Sequence, residues 1–134
     1  MAVVREGTFE IQSDNDVVRV RQATRQWAVD TGFRLVDQTK IVTAASELAR
    51  NALVHGGGGT VHMEVLVDGG RRGLRLTFSD KGPGIDDIDR ALTNGYTTGS
   101  GLGLGLGGAK RLSSEFEISS VPGQGTEVRI TRWI

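Results

Sequence analysis

From Gly99 to Gly107 every second residue is glycine, and the run continues as Gly108-Ala109-Lys110-Arg111-Leu112. No ordinary helix or strand gains from that spacing, because each interior glycine costs about 0.5–1 kcal/mol relative to alanine. Bare backbone serves a different purpose well: without Cβ atoms a chain can wrap its N–H groups around an anion such as a phosphate, and a helix that follows adds its positive end. Two blander readings compete. A flexible linker would be rich in glycine and serine, whereas the spacers here are Leu102, Leu104 and Leu106, which need a core. The other is a helix start that merely tolerates glycine. Among nucleotide loops, the Walker A string G-x-x-x-x-G-K-[ST] does not occur in the chain. Gly103-x-Gly105-x-x-Gly108 does satisfy G-x-G-x-x-G, but that pattern carries meaning only directly after a buried strand. Here it follows Asn94-Gly95-Tyr96-Thr97-Thr98, a loop, so dinucleotide binding of the doubly wound type is rejected.

A chain of 134 residues is expected to form one domain, spanning 1–134, with about two-thirds of its unfolded surface buried in a single core. Its 16 basic and 16 acidic residues cancel, so no overall field argues for nucleic acid or an anionic membrane as partner. Without cysteine there is neither a disulfide nor thiolate chemistry. The first residues lack an apolar signal core, and no apolar run reaches membrane-spanning length. A soluble cytoplasmic protein is the resulting expectation.

Along the chain, Thr8-Phe9-Glu10-Ile11 alternates as a short strand, and Ser13-Asp14-Asn15-Asp16 resembles a capping box. Val17, Val20, Thr24, Trp27 and Ala28 then fall on one helical face, and Gly32 is a stop. A second helix is expected over residues 35–55, with Ile41, Ala45, Leu48, Ala49 and Ala52 inward and Thr43, Glu47, Asn51 and His55 on roughly the opposite side. Val61, Met63, Val65 and Val67 alternate with His62, Glu64 and Leu66; after an Asp68-Gly69-Gly70 turn, Leu74, Leu76 and Phe78 alternate with Arg75, Thr77 and Ser79, which predicts a hairpin. A long polar connection over residues 80–98 includes one short helix near 86–92. A third helix over about 104–113 precedes strands around Phe116–Ile118 and Val128–Ile130, with a turn at Pro122-Gly123-Gln124-Gly125. The fold class expected is α+β: a two-layer α/β sandwich, its sheet mixed but largely antiparallel, with about three helices on one face.

Two further clusters carry chemistry. Asp80-Lys81-Gly82-Pro83-Gly84 stands where a strand gives way to a loop; a carboxylate there accepts hydrogen bonds from an exocyclic amine, while Gly82 and Gly84 let a flat ring approach the backbone. Glu47 and Asn51 lie one helical turn apart, so carboxylate and amide serve one site. Phosphoryl transfer to a hydroxyl needs a metal, a positioned acceptor and a proton acceptor. The Asn51 oxygen suits Mg²⁺, and Glu47 suits the proton.

Glu47-x-x-x-Asn51, Asp80-x-Gly82-x-Gly84 and Gly101-x-Gly103-x-Gly105, in that order and spacing, resemble the N, G1 and G2 boxes of the Bergerat-fold (GHKL) ATPases. A short chain of this kind is similar to the bacterial anti-sigma-regulatory serine kinases, and Ser46-Glu47-Leu48-Ala49-Arg50-Asn51, Lys110-Arg111-Leu112 and Trp133 are most like the switch kinases of stressosomes. The resemblance implies an ATP–Mg²⁺ site in which Asp80 reads the adenine amino group, Asn51 holds the metal and Glu47 is the base. Gly101, Gly103 and Gly105 would cradle the phosphates, and Gly82, Gly84, Gly99, Leu102 and Leu104 are counted with the nucleotide site. Thr97 and Thr98 either donate to a phosphate or stabilise the lid, and Lys110, which follows the glycine loop, either reaches a phosphate or is a solvated charge at a helix. It also implies a Ser/Thr acceptor on a STAS-domain antagonist or scaffold protein, followed by binding to the N-terminal region of a phosphatase. The anti-sigma kinases hold a sigma factor instead, and His55 ahead of a glycine resembles their N-box ending. A polar sheet face bearing Trp133 is open to solvent or to a second copy, so a homodimer stays among the expected partners.

Overall fold

The computed structural model describes residues 1–92 and 105–134. Ser13 starts helix α1 (Asp14–Thr31): its hydroxyl accepts from the Asp16 N–H at 3.3 Å, while the Asp16 carboxylate accepts from the Gln12 N–H at 2.9 Å. These reciprocal bonds satisfy donors that a helix start leaves open. The five residues expected on the inner face of α1 are all buried, joined by Thr31. Burying Thr24 and Thr31 costs little, because their hydroxyls donate to the Val20 and Trp27 carbonyls at 2.7 and 2.6 Å. Helix α2 (Leu35–Val54) buries the expected Ile41, Ala45, Leu48, Ala49 and Ala52, with Val42 and Ala44 added.

Five strands make the second layer: β1 (Ala2–Ile11), β2 (Gly59–Asp68), β3 (Arg71–Asp80), β4 (Glu115–Val121) and β5 (Gly125–Trp133). Their order is β1-β2-β3-β5-β4, and every neighbouring pair is antiparallel. The parallel component expected of a mixed sheet is absent among the described residues for a topological reason. The long connection after β3 leads to β4, which runs parallel to β3, but β5 slots between the two and opposes both. That connection includes two helices, the short α3 (Ile88–Ala91) and α4 (Gly105–Arg111).

Two details depart from simple alternation. Strand β1 starts six residues earlier than Thr8, pairing from Ala2 onward with β2, and a bulge between Val3 and Arg5 shifts its phase. That shift hides the strand from a search for period two. Leu66, expected on the outer face, is only 1 % exposed although it lies outside the main core cluster. Its neighbour across the ladder is Gly73, and a Cβ there would sit 2.6 Å from the Trp133 ring. The indole therefore lies on the bare backbone of Gly73 and shields Leu66.

Arg132 of β5 joins the layers: its guanidinium donates to the Asp37 carboxylate in the first turn of α2 at 2.7 Å, and to the Leu112 carbonyl just beyond α4 at 2.8 Å. On the outer face Arg75 grips Glu64 through two bonds of 2.9 and 3.0 Å. Those bonds hold the Glu64 carboxyl below its ordinary value of 4.5. A depressed carboxyl favours the folded state above the ordinary value and loses that contribution as pH falls through the folded one. Urea unfolding measured from pH 6 to pH 2 should therefore show stability falling less steeply below about pH 4.5 in Glu64→Gln than in the parent chain.

Candidate functional site

One end of α2 meets one end of β3. After Asn51 the helix closes through the Gly56 N–H donating to the Asn51 carbonyl and the Gly58 N–H donating to that of Ala52. This brings Gly56 against the Asp80 side chain, where a Cβ on Gly56 would overlap the carboxyl group. Gly82 packs on Gly56 in turn, and a Cβ there would lie 2.6 Å from the Gly56 Cα. Two stretches of backbone thus touch with no side chain between them.

Asp80 is the last residue of β3 and lies between Gly59 of β2 and Thr126 of β5 in the sheet register. One of its carboxylate oxygens accepts from the Gly82 N–H at 2.9 Å. Among the described residues the other oxygen has no hydrogen-bond partner. The loop beyond is fastened to the β4–β5 hairpin: the Ile85 N–H donates to the Ser120 hydroxyl at 2.7 Å, and the Gly123 N–H donates to the Pro83 carbonyl at 2.6 Å. Ser120 also shares a hydrogen bond of 2.9 Å with Thr126.

These elements enclose a cleft of about 390 Å³, lined among others by Asn51, Asp80, Gly84, Ile85, Leu106 and Thr126. Ile85, Leu106 and Ala91 give it apolar walls, and Asp80 supplies an acceptor. A slot with apolar sides and one carboxylate oxygen open to a donor fits a flat heteroaromatic ring with an exocyclic amine. The Asn51 amide stands on the same lining, so a group attached to that ring meets a hard oxygen. The described residues contain no cluster of three or more His, Cys, Asp or Glu side chains able to hold a metal. A cation here would accordingly rest on Asn51 together with the ligand's own oxygens and water, which is how Mg²⁺ prefers to bind beside phosphates.

The structure gathers some of the expected residues and separates others. Asn51, Asp80, Gly84 and Gly105 line the cleft, and Gly82 supports it through Gly56. Glu47 is half-buried one turn before Asn51 and outside the lining. Lys110 is exposed in the last turn of α4, away from the lining, where a cation suits the negative end of a helix. Thr97, Thr98, Gly99, Gly101, Leu102, Gly103 and Leu104 lie outside the described residues. Thr126, Ile85 and Arg90 are cleft residues that the sequence reading missed. For Thr126 the missing signal was the β3–β5 ladder, which sets it opposite Asp80.

Comparison with known proteins agrees with this geometry. Residues 36–133 match the family described as histidine kinase-, DNA gyrase B-, and HSP90-like ATPase. The chain is 44% identical over 129 residues to the serine/threonine-protein kinase RsbT of Bacillus subtilis, covering 96% of this chain and 97% of that protein. It is 32% identical over 100 residues to the anti-sigma F factor of Thermoanaerobacter sp. (strain X514), covering 70% of this chain and 68% of that one. In fold it is similar to the RsbU and RsbW domains of Rv1364c from Mycobacterium tuberculosis, at a TM-score of 0.68 and 24% identity. That match covers 96% of this chain and spans about a third, 32%, of the larger one. Family match, relatives and cleft converge: the chain belongs to the histidine kinase-, DNA gyrase B- and HSP90-like ATPases, within their RsbT-like serine/threonine kinase group.

Proposed function

We propose that this ATP-dependent kinase is a single-domain partner switch, moving the γ-phosphate of Mg²⁺–ATP to a Ser or Thr of a STAS-domain protein and then binding the N-terminal region of a phosphatase. The observation that carries the reading is the joint placement of Asn51 and Asp80 on one apolar-walled cleft, with Glu47 one turn away on the same helix. In this scheme the open oxygen of Asp80 accepts from the adenine amino group, beside Thr126, while Ile85 and Leu106 flank the ring. Asn51 holds Mg²⁺, which when bound neutralises phosphate charge. Glu47 takes the proton of the incoming hydroxyl, and as a half-buried carboxylate outside the cleft it is reachable from the acceptor's side. The segment Thr97, Thr98, Gly99, Gly101, Leu102, Gly103, Leu104 and Gly105 is assigned to the phosphates on the strength of the box pattern and the loop that leads into it, whereas Lys110, exposed at the far end of α4, is assigned to solvent.

A cytoplasmic setting is part of the proposal; no helix among the described residues is long and apolar enough to cross a membrane. A second reading is supported by the likeness to anti-sigma F factors: the chain sequesters a sigma factor and phosphorylates its antagonist. Pull-downs with and without ATP, followed by phosphosite mapping, separate the two. Acid-stable phosphate on a STAS protein with a phosphatase in the later complex supports the first, and a co-purified sigma factor supports the second.

Three substitutions test the assigned roles. Asp80→Asn should weaken ATP binding about 10-fold or more by calorimetry, since an amide presents a donor where an acceptor is needed. Asn51→Ala should remove the Mg²⁺ dependence of nucleotide binding, read by titration with and without the metal. Glu47→Ala should bind ATP normally yet lose phosphoryl transfer by about 10²–10⁴-fold in a single-turnover assay.

A further inference from the structure

Helix α2 has a third side. Val36, Lys40, Thr43, Glu47, Arg50 and Val54 follow one another at steps of four, three, four, three and four residues, the spacing that keeps side chains on one stripe of a helix. The stripe points away from buried Ile41, Ala45, Leu48 and Ala52. Val36 and Val54 at its ends are 64% and 53% exposed, and the four residues between them are half-buried. Among the described residues neither Lys40 nor Arg50 forms a salt bridge, although Arg50 stands three residues from Glu47 and i,i+3 pairing is available to it. Glu47 sits between two neighbours with different outlooks: Asn51 lines the nucleotide cleft, while Arg50 does not.

We infer that this stripe is the docking ridge for the protein being phosphorylated, and that Arg50 and Lys40 select an acceptor hydroxyl flanked by carboxylates. The inference rests on the proposed role of Glu47 as the base. Any hydroxyl that reaches Glu47 from outside the cleft belongs to a protein whose surface covers the neighbouring turns of α2. At 1.5 Å per residue, Arg50 lies about 4.5 Å and Lys40 about 10 Å along the axis from Glu47, on opposite sides. An acceptor with an acidic side chain to each side of its Ser or Thr would satisfy both cations and position the hydroxyl at the carboxylate. Val36 and Val54, about 27 Å apart along the helix, offer apolar contacts at the two ends.

The test uses the intact chain and a purified STAS-domain protein that it phosphorylates. Arg50→Glu and Lys40→Glu should each raise KM for the STAS protein about 10-fold or more while kcat, ATP affinity and Tm stay within the range of the parent. Arg50→Lys should keep most of the parent's KM, since the charge is retained. A STAS variant with the acidic residue nearest its acceptor changed to Lys should be a poor substrate for the parent and recover with Arg50→Glu. Unchanged KM in both charge reversals overturns the ridge. So does a loss that appears equally in ATP affinity, which would place Arg50 at the nucleotide. Should the parent bind ATP but phosphorylate no STAS protein, the proposed substrate class falls and this acceptor preference with it.

Discussion

Everything in the cleft depends on a contact between two stretches of bare backbone, Gly56 at the end of α2 and Gly82 beyond β3, with the Asp80 side chain wedged beside them. Packed interiors transmit position faithfully because they hold almost no free volume. Here even a side-chain layer is missing, so the helix that carries Asn51 is registered directly on the strand that carries Asp80. The hydrogen bonds of Ser120 to Ile85 and Thr126 then fix the opposite wall to the same strand end. A carboxylate, an amide and a threonine from three elements are thereby held around one volume before any ligand arrives.

Helix α2 shows how much one element can be asked to do. Its inner side supplies seven buried residues to the core, its end supplies Asn51 and His55 to the cleft, and Glu47 stands between cleft and exterior. Such division explains why its apolar stripe is made largely of alanine. Ala44, Ala45, Ala49 and Ala52 are all fully or nearly fully buried, and small side chains let the helix lie close to α1 and the sheet, so that the groups at its end reach the strand terminus.

Local periodicity carried the parts of this architecture that are local. Both long helices, their inner faces, the β2–β3 hairpin and the Ser13 start were legible because each is specified by residues within a few turns of one another. What escaped was set by distant pairing. The β1 bulge scrambles alternation that its ladder with β2 nonetheless enforces. Leu66 reads as an outer residue until Trp133, 67 positions later, is seen to fold over Gly73. Thr126 becomes a cleft residue only through its register with Asp80, and Ile85 only through its tie to Ser120. Asn51 and Asp80 were legible as a pair through the order and spacing of their motifs, whereas Glu47's place beside the cleft and Lys110's at the far end of α4 depend on helix directions that spacing does not encode.

Arg132 is a shared rivet. One guanidinium clasps the opening turn of α2 and the closing carbonyl beyond α4, so the helix with Asn51 and the helix that begins at Gly105 are bolted to β5 at a single point. Neither helix can slide over the sheet without prising at the other's anchor, and the two walls they contribute are thus tied together on the side remote from the cleft.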